Sequence, residues 1–150
     1  MIGYMLTWTT YGSWLHGDER GWVKNGKVLQ PDSRLYLTNK QKLKSTPVKL
    51  NESQRRLVKE AIFAESKKIN HRIYALAVCS NHVHIVAEPC SESISRIVQR
   101  YKRVSTYTLQ KNGFNGKVWT KGYDKRYCFN AKDLKNVINY VSGQILAPDS

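Results

Sequence analysis

The sequence predicts an α+β domain: an antiparallel sheet with helices on one face and an additional helix at the C-terminus. Three observations lead there. Short β-branched and aromatic runs alternate with amphipathic helical segments, two of those runs are joined by a two-residue turn, and one helical segment follows the last run. The 150 residues match the length of one domain and suffice to bury a core, so 1–150 is read as a single unit.

The opening "YMLTWTTYGSWL" alternates apolar with β-branched and aromatic residues and predicts a first strand over about residues 3–10. Beyond it the pattern breaks. Gly12, Gly17, Gly21, Gly26, Pro31 and Pro47 punctuate a polar insertion, 12–50, that is longer than an ordinary connection. It carries Lys24, Lys27, Arg34, Lys40, Lys42, Lys44 and Lys49, and reads equally as a loop that grasps a polyanionic strand or as a solvated insertion.

"NESQRRLVKEAIFAESKKIN" predicts a helix. Asn51 is an N-cap with Gln54 three residues on, the capping-box pattern, and Leu57, Val58, Ala61, Ile62 and Ala64 form a helical stripe. "RIYALAVCS" and "HVHIVAEP" predict two strands joined at Ser80 and Asn81. "SESISRIVQRYKRVSTYTLQKNG" is a second amphipathic helix with Ile94, Ile97, Val98, Tyr101, Val104 and Ser105 on one face and Asn112-Gly113 as its stop. "KVWTKGYDKRYCF" supplies a short strand or hairpin. "NAKDLKNVINYVSGQIL" is the final helix, with Leu134, Val137, Ile138, Val141 and Ile145 as its buried stripe. Gly143 weakens its last turn by roughly 1 kcal/mol relative to alanine. This order of elements resembles the ferredoxin-like, or RRM-like, arrangement, which leaves one sheet face free for a nucleic acid.

Charge narrows the function. Lys and Arg number 25 against 11 Asp and Glu, a net charge of +14, which favours a polyanionic partner, and nucleic acid is the usual one. Arg96, Arg100, Lys102, Arg103, Lys111, Lys117, Lys121, Lys125 and Arg126 face a single acid in that stretch, Asp124. Tyr101, Tyr107, Phe114, Trp119, Tyr123 and Tyr127 are interleaved with them. Cations for phosphate with rings for stacking is the composition of a single-strand or hairpin binder. No apolar run nears the ~20 residues of a membrane span, and the N-terminus lacks the pattern of a signal peptide, so a cytoplasmic location is expected. Cys79, Cys90 and Cys128 are odd in number without a CxxC pair, which speaks against a disulfide framework and a structural zinc site.

The chemistry concentrates in "NHVHIVAEPC". On a strand Val83, Ile85 and Ala87 share one face, and His82, His84, Val86 and Glu88 share the other. Two imidazoles side by side suit a divalent metal, or are two hydrogen-bonded surface histidines, and Glu88 is a possible substitute ligand or a strand-end charge. In the last helix Tyr140 and Gln144 lie one turn apart just off the apolar stripe. Alone, Tyr140 reads as readily as a boundary tyrosine covering core.

Together, "CSNHVHIVAEP" and "INYVSGQ" resemble the HUH single-strand endonucleases, in particular the one-tyrosine transposases of the IS200-like and REP-associated group. "TWTTYGSWLHGDERG" and "VWTKGYDKRY" are also similar to segments of that group, so the resemblance runs along nearly the whole chain. Ser80 departs from it, standing where a proline commonly precedes the Asn-His pair. The resemblance implies that His82, His84 and Gln144 bind Mg²⁺ or Mn²⁺ and that Tyr140 attacks single-stranded DNA beside a hairpin, leaving a 5′-phosphotyrosine. Tyr123 and Tyr127 are the rival nucleophiles. A phenol holds its proton at neutral pH, so the metal or a lysine such as Lys135 would help it ionise. On oligomeric state the resemblance leaves two alternatives, a homodimer as in IS200-type members, which is the expectation, or a protein acting alone as REP-associated members can. A replication initiator or relaxase of the same class, or a non-catalytic module that binds DNA or RNA hairpins, are the competing readings.

Overall fold

The computed structural model describes residues 1–13 and 47–146, together with the main chain of 22–24 and 27–29, with the Leu146 side chain left aside. In chain order the elements are β1 (Gly3–Thr9), β2 (Trp22–Lys24), β3 (Lys27–Leu29), α1 (Glu52–Lys68), β4 (Ile73–Val78), β5 (His82–Ala87), α2 (Ile94–Lys111), β6 (Asp124–Cys128) and α3 (Ala131–Leu146). β4, β5, β1 and β6 form one sheet in that spatial order, and each neighbouring pair is antiparallel. This is the predicted α+β arrangement, with the first and third strands of the βαββαβ unit adjacent at its centre.

Local chemistry sets the element ends. Asn51 Oδ1 accepts from the Gln54 N–H at 2.8 Å while Gln54 Oε1 accepts from the Asn51 N–H at 2.9 Å, so the expected capping box starts α1. Ser93 caps α2 by accepting from the Arg96 N–H. Between β4 and β5 the Cys79 N–H donates to the His82 carbonyl at 2.8 Å, closing the turn through Ser80 and Asn81. β2 and β3 pair as a short antiparallel hairpin that the sequence reading did not anticipate. The rest of the 12–50 insertion, including Arg34, Lys40, Lys42, Lys44 and the expected grasping loop, lies largely outside the described residues.

Two cores form, one on each side of the sheet. Tyr4, Leu6, Trp8, Leu76, Val83, Ile85 and Ala87 pack against Val58 and Ile62 of α1 and Ile97, Val98, Tyr101 and Leu109 of α2. On the other side Ala75, Ala77, Cys79 and Val86 meet Val137 and Val141 of α3, flanked by Leu134 and Ile138. The sheet face expected to stand free is therefore partly covered. The small residues of β4 make this possible, because they let an α-helix approach closely. Gly3 does the same at the start of α3: a Cβ there would come 2.9 Å from Leu134 Cδ1. Ile145, expected in the buried stripe, is instead 47% exposed, because the inner side of α3 is carried by Val137 and Val141. Among the described residues no helix is long and apolar enough to cross a membrane. Cys79 and Cys128 are buried free thiols, and Cys90 is half-buried and also free.

Candidate active site

The β4–β5 turn sets the register of β5, and the pleat does the rest. Val83, Ile85 and Ala87 enter the core beneath α1 and α2, while His82 and His84 emerge on the face that carries α3. Across the sheet, Thr9 and Thr7 of β1 stand opposite His82 and His84, and Thr7 is in turn opposite Asp124 of β6.

The two imidazoles lie 4.6 Å apart between centroids, tilted by 67°. Each has its Nδ1 engaged. His82 Nδ1 is 2.7 Å from Asn81 Oδ1, and His84 Nδ1 is 2.8 Å from Thr7 Oγ1. An amide oxygen only accepts, so His82 carries its proton on Nδ1 and donates it. Nε2 then bears the lone pair, the atom that coordinates a metal. The same assignment for His84 has its Nδ1–H donating to the Thr7 hydroxyl. His84 is 8% exposed, and burial, followed by the neighbouring His82, lowers its pKa to about 4. Its ring is neutral near pH 7, as a metal ligand must be.

α3 brings the phenol. Asn130 Oδ1 accepts from the Asp133 N–H at 2.9 Å and starts the helix, and the Val137–Val141 seam fixes its rotation. Tyr140, one residue before Val141, is thereby turned to the helix flank. It is 53% exposed, and its ring centroid lies 5.6 Å from that of His84 at 69°. Gln144 follows one turn later, half-buried, at a cavity of about 390 Å³ that is also lined by Arg55, Lys59, Cys79 and Ser80. The structure thus joins His82, His84 and Tyr140 within one chain, with Gln144 one turn further along α3 and lining the cavity beside β4.

Other candidates fall away on geometry. Among the described residues no group of three or more His, Cys, Asp or Glu could hold a metal, so Glu88 does not join the histidines. It stands four positions beyond His84, roughly 13 Å along an extended strand. Tyr127 is in register with Tyr4, whose side chain lies in the core under α1 and α2, so it occupies the face opposite the histidines. Tyr123 packs against that same core. Lys135 sits five residues before Tyr140, roughly 140° around the helix.

The basic stretch of 96–126 is not one surface. Arg100 is taken by carboxylates, pairing with Glu92 and with Glu65 at 3.1 Å. Lys102 donates to the carbonyls of Thr120 at 2.9 Å and Gly122 at 2.7 Å, tying the connector to α2, and burial lowers its pKa. Both side chains are thus tied into the fold, unlike the other cations named as DNA contacts. Arg96, Arg103, Lys117, Lys121, Lys125 and Arg126 are exposed. Of the β6 pair, Arg126 is opposite Met5 on the α3 side, whereas Lys125 is opposite Leu6 on the other. Lys117 lies over the Tyr11 ring at 5.1 Å.

Sequence reasoning missed three residues. Thr7 had no local signal, because its role depends on strand pairing. Asn81 reads from the sequence as a turn residue, and its position beside His82 is the signal for its second role. His71 is buried between two phenols, with Nε2 2.8 Å from Tyr4 Oη and Nδ1 2.6 Å from Tyr101 Oη. It braces the α1–β4 connection inside the core, away from the candidate site.

Residues 38–144 match the family model of the IS200-like transposases, most of the chain. The chain belongs to the IS200-like transposases. No curated protein matches this transposase in sequence. Among solved structures it is similar in fold to a REP-associated tyrosine transposase bound to a REP hairpin, with a TM-score of 0.59 and 14% identity over 93% of this chain. It spans 64% of that protein, under two thirds of its length. A candidate transposase from Deinococcus radiodurans R1 shows a TM-score of 0.48 and 13% identity, over 95% of this transposase and 90% of that chain.

Proposed function

We propose that this IS200-like transposase cleaves and rejoins single-stranded DNA beside a hairpin, with Tyr140 as nucleophile and His82, His84 and Gln144 as ligands of Mg²⁺ or Mn²⁺. The contact of Tyr140 with His84, ring to ring at 5.6 Å within one chain, is the observation that carries this reading.

The donor set fits such a metal. Two imidazoles with their Nδ1 atoms engaged offer Nε2, and the third protein ligand has to be an uncharged group, since no carboxylate or thiol completes a cluster among the described residues. The Gln144 amide oxygen, one turn beyond Tyr140, is that group in this reading. A protein shell of two nitrogens and one oxygen leaves room for substrate oxygen and water, and it suits Mn²⁺ at least as well as Mg²⁺. When bound, the metal supplies charge neutralisation of the phosphodiester as a Lewis acid.

The chain's own residues account for the rest. Asn81 holds the His82 tautomer, Thr7 orients the His84 ring, and the Val137–Val141 seam holds the phenol at the histidines. Tyr140 Oη attacks phosphorus, forming a tyrosyl phosphodiester as the P–O3′ bond breaks. The departing 3′ oxygen takes up a proton and the phenol loses one. A second 3′-hydroxyl reverses the step, releasing Tyr140 and joining a strand with no consumption of ATP. Because the phenol and the histidines meet inside one chain, a homodimer would hold two complete sites rather than share one.

The decisive experiment is incubation with a labelled single-stranded hairpin oligonucleotide and Mn²⁺ or Mg²⁺. The expected result is a covalent protein–DNA adduct that Tyr140→Phe abolishes. DNA that is shifted but uncleaved in both metals would identify a non-catalytic hairpin-binding module instead.

A further inference from the structure

The cavity beside Gln144 has a charge and a position that the reaction above does not use. It opens at the β4 edge between α1 and the last turn of α3, and its α1 wall carries Arg55, Arg56 and Lys59 against one carboxylate, Glu52. We propose that this cleft is a phosphate subsite for single-stranded DNA, holding the backbone phosphate next to the one that Tyr140 attacks. The proposal rests on the reading of Tyr140 and the histidines as the reactive centre.

Position is the first argument. Ser80 lines the cleft two residues before His82, and Gln144 lines it four residues after Tyr140. The cleft is therefore lined by close chain neighbours of both halves of the site, at the sheet edge where the α1 side and the α3 side meet. Charge is the second. Arg55 is held in place by its Nη1, which donates to the Leu50 carbonyl at 3.0 Å. Among the described residues Lys59 has no hydrogen-bond or ion-pair partner. The Arg56–Glu52 pair is long, 3.8 Å, with both side chains well exposed, a kind of pair that contributes little and yields readily to a phosphate. Size is the third: about 390 Å³ lies within the usual range of ligand pockets. None of these cations belongs to the 96–126 stretch, so the strand would be gripped from α1 as well.

The test uses full-length Tyr140→Phe protein in EDTA, so that cleavage plays no part. The probe is a fluorescent single strand on which the unaltered protein forms its adduct, plus versions in which one phosphate at a time is a neutral methylphosphonate. Lys59→Met and, separately, the more exposed Arg56→Gln should each weaken binding several-fold. Each should also flatten the dependence of log Kd on log salt by about 0.7, the loss of one phosphate contact. On the strand neutralised beside the scissile position the same substitutions should cost nothing further, and Lys59→Arg should restore binding. Equal weakening on every strand, or none in either variant, overturns the subsite. Failure of the unaltered protein to form any adduct overturns instead the reading of Tyr140 on which it rests.

Discussion

The Thr7 hydroxyl lies 2.8 Å from His84 Nδ1, joining side chains 77 positions apart in the chain. That contact engages Nδ1 of a buried imidazole and orients the ring. Thr7→Val keeps the shape and removes the acceptor. It is expected to weaken Mn²⁺ binding by roughly 10- to 100-fold, the usual effect of losing an outer partner of a ligand histidine. Calorimetric titration with Mn²⁺ reads this directly, and an unchanged affinity would remove Thr7 from the site.

Tyr140 meets His84 of its own chain, so complementation between copies is expected to fail. A mixture of Tyr140→Phe and His84→Ala proteins should form no more adduct than either alone. Adduct appearing in the mixture would mean that the helix of one copy serves the histidines of another.

The depressed pKa of His84 carries a sign for stability. The unfolded chain takes up a proton near the ordinary histidine value of about 6.5, whereas folded His84 resists until about 4. Stability without metal should therefore be level above pH 6.5 and fall as pH drops from there toward 4, by up to about 1.4 kcal/mol per pH unit for this group. His71, also lowered by burial, adds in the same direction. Urea unfolding at several pH values in EDTA measures the slope, and His84→Gln should reduce it without abolishing it.

Arg100 and Arg126 should behave oppositely. Arg100→Ala leaves Glu65, 8% exposed, without its partner and is expected to lower the melting temperature while leaving the salt dependence of DNA binding unchanged. Arg126→Ala should leave melting unchanged and flatten that salt dependence by about 0.7. The reverse pattern would return Arg100 to the DNA surface.

Gly143 lies inside α3 with no atom within 4 Å of where a Cβ would stand. Gly143→Ala should stabilise the protein by up to about 1 kcal/mol through helix propensity. A loss of stability on thermal unfolding would show that the last turn of α3 needs the glycine for its backbone.

How far the sequence reaches is clearest at particular residues. The Asn51–Gln54 box, the alternation that puts His82 and His84 on one face, and the one-turn spacing of Tyr140 and Gln144 are contacts or periods within a single element, and each is present as read. Patterns of that kind depend only on the pitch of a helix or the pleat of a strand, so the residues alone determine them. What tertiary structure decided was everything that depends on register or docking. Sheet pairing set Thr7 beside His84 and turned Tyr127 away from it. The small side chains of β4 let α3 lie across a face expected to be open, which is why the phenol stands at the histidines. Carboxylates of α1 and the α2 entry claimed Arg100, and carbonyls of the connector claimed Lys102. A basic residue has the same identity whether it meets a carboxylate, a carbonyl or a phosphate, and only burial and the neighbours brought by the fold choose among them.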